Sequence, residues 1–251
     1  MDKITSRKNP YIAHLRALAS DAAYRREKGE FVCDGLKLLE EAAQNGAEIV
    51  SILWKEGGAV SEADCAQQHL APAELFDYVS PMKNSPGPLF AVRIRKADPD
   101  EPAHNAIVLE NVQDPGNVGT VLRTASAFGV GAVVLTGDCA DLYGPKTVRA
   151  TMGAIFRQRV LRLELTALPD WLRRSGLTLY GAALSDTARD LRELDVTHAA
   201  VAVGSEGHGL SRALLELCEH ELIIPMDVRS ESLNAAVAAA VLMWEMSGKN
   251  R

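Results

Sequence analysis

The 251-residue sequence lacks any C-x-x-C pair, and its four cysteines are widely scattered: Cys33, Cys65, Cys139 and Cys218. This spacing argues against a zinc site or a redox motif and is typical of reduced cytosolic thiols. The longest apolar run, Ala235 to Trp244, is too short to span a bilayer. The polar amino terminus contains no signal-peptide core. We therefore expect a cytoplasmic protein with no metal and no membrane segment.

The sequence also lacks a net basic charge. Its formal charge of -6 argues against a nucleic-acid binder that is basic throughout. The cations are nevertheless clustered, since residues 1–30 contain seven basic and four acidic side chains and a second basic group lies at 146–162. A solvated surface and a localised phosphate-binding track are both compatible with this pattern. The candidate contacts in such a track are Arg7, Lys8, Arg25, Arg26, Lys146 and Arg149.

Two phosphate-binding fingerprints are absent as well. The sequence has no G-x-x-x-x-G-K-[ST] motif and no G-x-G-x-x-G motif after its first strand, which argues against the P-loop and Rossmann classes. A glycine-rich turn does follow the apolar segment 201–203, with Gly204, Gly207 and Gly209. Glycines let backbone approach a ligand closely, but a glycine turn alone does not specify which ligand.

Hydrophobic periodicity predicts two domains. Residues 1–97 form a small α/β domain with helices at 9–20, 35–45 and 61–70 and strands at 31–33, 49–54 and 89–94. A polar, proline-containing linker covers 98–105. Residues 106–251 alternate apolar strands with helices, which predicts an α/β fold with a parallel sheet covered by helices on both faces. The strands there are 106–109, 131–135, 158–161, 177–183, 199–203 and 221–224, and the helices are 117–128, 145–152, 166–175, 211–218 and 232–246.

The segment from Leu109 to Gly129 contains the most informative motif. A buried strand enters a turn of Asp, Pro, Gly and Asn, and the following helix carries Arg123. Asn117 and Arg123 then lie near the carboxyl end of a strand, where open α/β sheets place their ligands. The planar guanidinium of arginine suits phosphate. The alternative is an ordinary helix start, with Asn117 as the N-cap and Arg123 simply exposed.

Two later segments have the same strand-to-turn-to-helix pattern. Helix 145–152 begins with a proline and places Lys146 and Arg149 on one face. After strand 221–224, either Ser232 or Asn234 can cap the last helix, whose small residues suit close packing within the core or a dimer interface. His208 is interpreted as a loop residue rather than a catalytic base.

In order, these motifs are N-x-G-x-x-x-R-T-A, P-K-x-x-R-A-x-x-G, G-x-E-x-x-G-L and I-P-M followed by E-S-L-N-A-A-V-A-A-A, within residues 107–245. Together they resemble the SpoU (TrmH-type) RNA 2′-O-ribose methyltransferases of the SPOUT superfamily. Residues 1–97 resemble the ribosomal-protein-like substrate-binding domain found before many SpoU domains, through Ile4–Pro10 and 29–40. The stretch 85–88 departs from the Thr-Pro-Gln-Gly turn that is common in relatives.

The resemblance implies S-adenosylmethionine as methyl donor, the ribose 2′-hydroxyl of RNA as acceptor, a homodimer and a carboxyl-terminal trefoil knot. Ribosomal RNA is favoured over transfer RNA as the substrate, because the domain of residues 1–97 resembles those of members that act on ribosomal RNA. A non-catalytic RNA-binding relative and a nucleotide-dependent α/β enzyme are the competing interpretations. By motif position, the catalytic residues are Arg123, Asn117, Ser232, Asn234 and Glu206. The implied cofactor-binding residues are Leu135, Thr136, Gly137, Gly204, Ile224, Met226 and Leu233.

Overall fold

A computed structural model of the protein describes residues 1–61, 64–185, 187–227, 229 and 232–248. In chain order its strands are β1 (Asp2–Lys3), β2 (Glu30–Asp34), β3 (Ile49–Lys55), β4 (Gln68–Ala71), β5 (Leu89–Arg93), β6 (Ala106–Glu110), β7 (Ala132–Thr136), β8 (Val160–Arg162), β9 (Thr178–Ala182), β10 (Arg189–Asp190), β11 (Ala199–Val203) and β12 (His220–Ile223). Its helices are α1 (Pro10–Ser20), α2 (Ala22–Lys28), α3 (Leu36–Gln44), α4 (Ala73–Val79), α5 (Pro115–Phe128), α6 (Pro145–Ala150), α7 (Leu168–Ser175), α8 (Arg212–Leu215) and α9 (Ala235–Met246).

These elements form two compact units. The amino-terminal unit comprises Met1–Lys96 and Asp141–Arg157, and the carboxyl-terminal unit comprises Ala97–Ala140 and Gln158–Arg251. In the amino-terminal unit, one mixed sheet has the strand order β1-β4-β3-β5-β2. Strands β1, β4 and β3 run parallel, and β5 is antiparallel to both β3 and β2.

The sheet of the amino-terminal unit is covered on both faces. On one face, Leu53 and Leu89 pack with apolar side chains of α1 and α4. On the other face, Ile52 and Trp54 pack with apolar side chains of α3 and with Val148 of α6. Neighbouring residues of a strand point to opposite faces, so these strands contribute to both layers of the core.

The helix predicted over 61–70 is wrong for residues 64–70, while residues 62 and 63 lie outside the described residues. Residues Gln68–Ala71 are a strand that lies between β1 and β3, with Leu70 opposite Trp54 and Lys3. Pairing on both sides satisfies the backbone of β4, and such long-range pairing overrides the helical pattern of its apolar residues. The helix of this region is α4, which begins after Pro72. Helix α2 was not predicted, although Asp21 caps it by accepting hydrogen bonds from two backbone amides.

One segment of the predicted second domain packs within the amino-terminal unit. The Arg25 side chain pairs with Asp141, and Arg157 donates to Glu41 Oε2 at 2.6 Å. Val148 of α6 is buried in the core beside β2 and β3. These contacts join residues more than ninety positions apart, so no local pattern indicates them. The predicted domain boundaries therefore remain a prediction, and the compact units differ from them at Asp141–Arg157.

The carboxyl-terminal unit confirms the predicted α/β fold with a parallel sheet. Its strand order is β10-β12-β9-β11-β6-β7-β8, and every pair is parallel. Strands β6, β7 and β11 are buried along their whole length. Such continuous burial is typical of central parallel strands covered on both faces.

Two helices of the carboxyl-terminal unit matter for the site. Helix α5 begins two residues earlier than predicted, because Asp114 is its N-cap and Pro115 its first residue. It ends at Gly129, which is left-handed with φ of 69°. Helix α9 begins after Asn234, so of the two predicted capping residues it is Asn234 that caps. None of the helices in the described part of the chain is both long and apolar enough to cross a membrane.

Candidate functional site

Three of the predicted catalytic residues meet at one point of the carboxyl-terminal unit. Asn117 Nδ2 donates to Glu206 Oε1 at 2.9 Å, and Asn234 Nδ2 donates to the same oxygen. Asn234 Nδ2 also donates to Asn117 Oδ1 at 3.1 Å, and Ala235 N donates to Glu206 Oε1 at 3.4 Å. We call Asn117, Glu206 and Asn234 the amide–carboxylate cluster.

Local helix geometry positions the two amides of this cluster. Asp114 Oδ1 accepts from Asn117 N at 2.8 Å, which fixes Asn117 in the first turn of α5. Asn234 Oδ1 accepts from Ala236 N at 3.0 Å and from Val237 N at 3.3 Å, which caps α9. The oxygen of the Asn234 amide therefore caps α9, while its nitrogen donates to the other two members of the cluster. Because the first turn of a helix has free backbone amides and a positive dipole end, it also favours the nearby carboxylate.

The other two predicted catalytic residues are close to this cluster in sequence. Arg123 follows Asn117 by six positions on α5 and is exposed. With the residues that the structure describes, its guanidinium makes no hydrogen bond or ion pair, so its donors are open to solvent. Ser232 is exposed, precedes Asn234 by two positions and lines a cavity that also contains Glu206.

Two cavities lie at the carboxyl edge of the parallel sheet. The first, of about 620 Å³, is lined by the loop after β6 and the loop after β11, including Asn117 and Glu206. The second, of about 380 Å³, lies at the ends of β9, β11 and β12. Both have the size of small-molecule sites, and their location agrees with the general rule for parallel α/β sheets.

The second cavity contains four of the seven predicted cofactor-binding residues: Gly204, Ile224, Met226 and Leu233. Of the other three, Leu135 and Thr136 end β7 and Gly137 follows it. Strand β6 separates β7 from β11 in the sheet. Thr136 O accepts from Asn111 N at 3.2 Å, and Gly137 contacts the Asn111 side chain, so these residues contact the loop after β6.

The two cavities share residues 205–209 of the glycine turn, and Gly204 of the same turn lines the second cavity. Gly209 N donates to Ser205 O at 2.9 Å, and Gly209 has φ of 65°. A Cβ added at Gly204 would lie 2.1 Å from the carbonyl carbon and oxygen of Gly209. Only glycine is compatible with so close a backbone approach. The turn therefore places backbone groups along both cavities.

Sequence reasoning missed Glu110, which anchors this turn. Glu110 ends β6 and is 4% exposed. Its Oε2 accepts from Ser211 N at 2.6 Å, and its Oε1 accepts from Ser211 Oγ at 2.6 Å. Ser211 in turn caps α8. A carboxylate at the end of a strand whose other residues are apolar is the sequence signal that could have indicated a buried polar contact.

Sequence reasoning also missed the segment 182–184. Ala182, Ala183 and Leu184 line the second cavity together with Ile224 and Met226. Ala182 ends β9 and the other two follow it, and β9 pairs with both β11 and β12. The sequence predicts a strand there but not the strands that pair with it. The pairing determines which loops lie together at the edge of the sheet.

The candidate phosphate contacts all lie in the amino-terminal unit. Arg7, Lys8, Arg26, Lys146 and Arg149 are exposed. Arg25 is 5% exposed, donates to Leu18 O at 2.5 Å and pairs with Asp141. This buried, paired guanidinium contributes to packing and is not part of a binding surface.

Burial also affects the chemistry of two cysteine side chains. Burial raises the pKa of the Cys218 thiol to about 12 and also raises the pKa of the Cys33 thiol. Such thiols are poor nucleophiles. Among the described residues, no group of three or more His, Cys, Asp and Glu side chains is placed to hold a metal ion.

The fold and the site define a class: an α/β protein whose ligand site is built from loops at the carboxyl ends of parallel strands. The chain belongs to the SpoU rRNA methylase family, which residues 104–244 match. This membership confirms the motif resemblance in the second half of the chain. The resemblance of residues 1–97 to a substrate-binding domain stays a prediction.

Individual relatives match along nearly the whole chain. The 23S rRNA (guanosine(2553)-2′-O)-methyltransferase RlmP of Bacillus subtilis is 33% identical, covering 99% of this chain and 100% of the relative. An uncharacterized tRNA/rRNA methyltransferase of Synechocystis sp. is 33% identical, covering 96% of this chain and 92% of the relative. The AdoMet-bound rRNA methyltransferase from Sinorhizobium meliloti has a TM-score of 0.86 and 25% identity, covering 98% of this chain and 97% of that structure.

Proposed function

We propose that this protein transfers a methyl group from S-adenosylmethionine to a ribose 2′-hydroxyl of RNA, and that ribosomal RNA is its substrate. The observation that carries the proposal is the amide–carboxylate cluster. It brings Asn117, Glu206 and Asn234 together beside two cavities in a member of the SpoU rRNA methylase family. The B. subtilis relative, named for 2′-O-methylation of 23S rRNA, supports the choice of acceptor.

The residues of the second cavity fit S-adenosylmethionine. Ile224, Met226, Leu233 and Leu184 supply apolar walls suited to an adenine ring, and the glycine turn supplies backbone groups. The cavity volume of about 380 Å³ lies in the range of small-molecule sites. When bound, S-adenosylmethionine supplies an electrophilic methyl carbon. The predicted contacts of Leu135, Thr136 and Gly137 with S-adenosylmethionine stay a prediction.

The roles of the polar residues follow from their chemistry. A guanidinium stays protonated near neutral pH, so Arg123 is suited to gripping a phosphate and orienting the neighbouring ribose. The proton of the 2′-hydroxyl is then transferred to that phosphate, to water or to a transiently neutral arginine. Glu206 holds the two amides, and Asn117, Ser232 and Asn234 hold the acceptor. Positioning two reactants in this way supplies roughly 7–11 kcal/mol of a barrier.

The proposal extends to the domain architecture, the oligomeric state and the location of the protein. Residues 1–97 act as a ribosomal-protein-like RNA-binding domain, 98–105 as a linker and 106–251 as the catalytic domain with a trefoil knot. A homodimer through α9 is supported by Val237 and Trp244, which are about half exposed on that helix. The cytoplasm is the proposed location, because the RNA substrate is found there and the four cysteines are free.

Transfer of labelled methyl from S-adenosylmethionine to total RNA tests the proposal. The RNA should come from cells that lack this gene and be separated by size after the reaction. We expect label in ribosomal RNA with the wild type and loss of the label with Arg123→Ala. Arg173→Ala is the matched control, because Arg173 is an exposed helical arginine of the same unit that pairs with Asp170. Label in transfer RNA alone would overturn the substrate assignment, and no label with retained RNA binding would indicate a non-catalytic relative.

A further inference from the structure

The structure divides the amino-terminal cations into paired and unpaired residues. Lys3 pairs with Glu56 at 2.8 Å, and Lys28 pairs with Glu27 at 2.9 Å. Arg25 is buried against Asp141. Within the described ranges, four cations of residues 1–30 have no carboxylate partner within ion-pair distance: Arg7, Lys8, Arg16 and Arg26.

Two of these unpaired cations share one aromatic ring. The Arg7 Cζ lies over the Tyr78 ring at 4.5 Å from its centroid, and the Arg16 Cζ lies over the same ring at 4.1 Å. Arg16 also donates a hydrogen bond to the Tyr78 hydroxyl. Both arginines are exposed, and the tyrosine is half-buried. Three separate parts of the chain therefore converge: the segment before α1, α1 itself and α4.

The hydrophobic core holds this arrangement in place. Leu15 is buried next to Arg16 on α1, and Val79 is buried next to Tyr78 on α4; both belong to the same apolar cluster. Stacking on an aromatic ring occupies the faces of the guanidiniums and leaves most of their in-plane N–H donors free. Two unneutralised cations over one ring repel each other, and an anion that accepts from their free donors would lessen that repulsion.

We propose that Arg7, Arg16 and Tyr78 form a phosphate clamp that binds the RNA backbone. The proposal rests on the proposed function for its choice of RNA as the partner. Fork-shaped guanidinium donors match the oxygens of a phosphodiester. Because the guanidiniums cover the ring, the clamp contacts backbone and does not stack on a base. Backbone contacts position a nucleic acid without reading its sequence.

The test is binding of unmodified, in vitro transcribed 23S ribosomal RNA to the full chain, measured by filter retention over a salt series without S-adenosylmethionine. Removing two phosphate contacts with Arg7→Gln/Arg16→Gln lowers the slope of log affinity against log salt by about 1.4 to 1.8. The affinity deficit of this variant then grows by about 25- to 60-fold between 1 M and 0.1 M salt.

Two further variants separate a clamp from a merely charged or merely structural surface. Tyr78→Leu keeps both charges and removes the ring, so we expect weaker binding without any change in net charge. Tyr78→Phe keeps the ring and replaces Tyr78→Leu in the test if Tyr78→Leu shows no thermal unfolding transition. We expect Tyr78→Phe to retain most of the affinity for RNA. Lys28→Gln is the matched control, since Lys28 also lies over a ring, that of Tyr24 at 5.4 Å, but is neutralised by Glu27.

The readouts also distinguish this proposal from the proposed function. If the wild type binds RNA but transfers no methyl group, the proposed methyltransferase function is contradicted. The salt dependence of RNA binding still tests the clamp in that case. An unchanged slope in Arg7→Gln/Arg16→Gln overturns the clamp, even when methyl transfer is intact. Equal losses in that variant and in Lys28→Gln overturn it too, because a general loss of charge would then be sufficient.

Discussion

Asn234 has two functions that substitutions can separate. Its oxygen caps α9 through Ala236 N at 3.0 Å, and its nitrogen donates to Glu206 and Asn117. Asn234→Ala removes both functions. Asn234→Asp keeps a capping oxygen but replaces the donor nitrogen by a second carboxylate oxygen facing Glu206. If the cluster serves catalysis, Asn234→Asp is expected to lose activity while it retains the cap of α9.

The magnitudes follow from these contacts. Loss of the cap in Asn234→Ala costs about 1 kcal/mol, which lowers Tm by about 2–4 °C. Hydrogen bonds to a charged group are worth about 1.5–3 kcal/mol, and tenfold in rate corresponds to about 1.4 kcal/mol. Asn234→Asp should therefore lower kcat by about tenfold to a hundredfold, with the lower end favoured because the cluster is open to solvent.

The assay combines methyl transfer at saturating RNA with thermal unfolding. Asn9 supplies matched controls, because its Oδ1 caps α1 by accepting from Tyr11 N at 2.8 Å and contacts no carboxylate among the described residues. Asn9→Ala should lower Tm as Asn234→Ala does, and Asn9→Asp should leave both kcat and Tm nearly unchanged. Wild-type kcat in Asn234→Asp would refute the catalytic role of the cluster. Equal losses of kcat in Asn9→Ala and Asn234→Ala would show that stability alone accounts for the effect.

Three more predictions concern other parts of the chain. Gly204→Ala should raise the Kd for S-adenosylmethionine more than tenfold in calorimetry, since its Cβ would lie 2.1 Å from the Gly209 backbone; an unchanged Kd would contradict the cavity assignment. Glu110→Ala should lower the free energy of unfolding by about 3 kcal/mol in urea, because Ser211 loses two bonds to a charged acceptor; Glu110→Gln should cost less than half as much. Burial raises the pKa of Asp34 above its ordinary 3.8, so its charge costs stability as pH rises past that value. Asp34→Asn should then be most stable, relative to wild type, at neutral pH, and a difference independent of pH would refute this.

Much of the fold was predictable because its signals are local. Buried parallel strands such as β6 and β7 are uninterrupted apolar runs, and α5 is bounded by Asp114 and Gly129, a cap and a stop that any helix uses. Strand β4 was not predictable in this way. Its four residues become a strand only because β1 and β3 pair with it on both sides.

The charged residues show the same difference between what the local sequence predicts and what tertiary contacts decide. The sequence alone shows a basic cluster in residues 1–30, but not which members are neutralised. Arg25 and Arg16 are both arginines of the first two helices, yet Arg25 is buried against Asp141 while Arg16 is exposed over Tyr78. Their partners lie 116 and 62 positions away in the chain, so tertiary packing assigns one to the core and the other to the surface.

The sequence by itself determined the chemical identities of the candidate site. Asn117, Arg123, Glu206 and Asn234 each lie in a strand-to-turn-to-helix segment that the motif order identifies. Only the tertiary structure decided that three of them touch: β11 lies beside β6, which brings Glu206 to Asn117 across 89 positions, and Asn234 reaches Asn117 across 117. Parallel neighbours are joined by long crossovers, so their order depends on how the whole sheet buries its helices and is not encoded in any one segment.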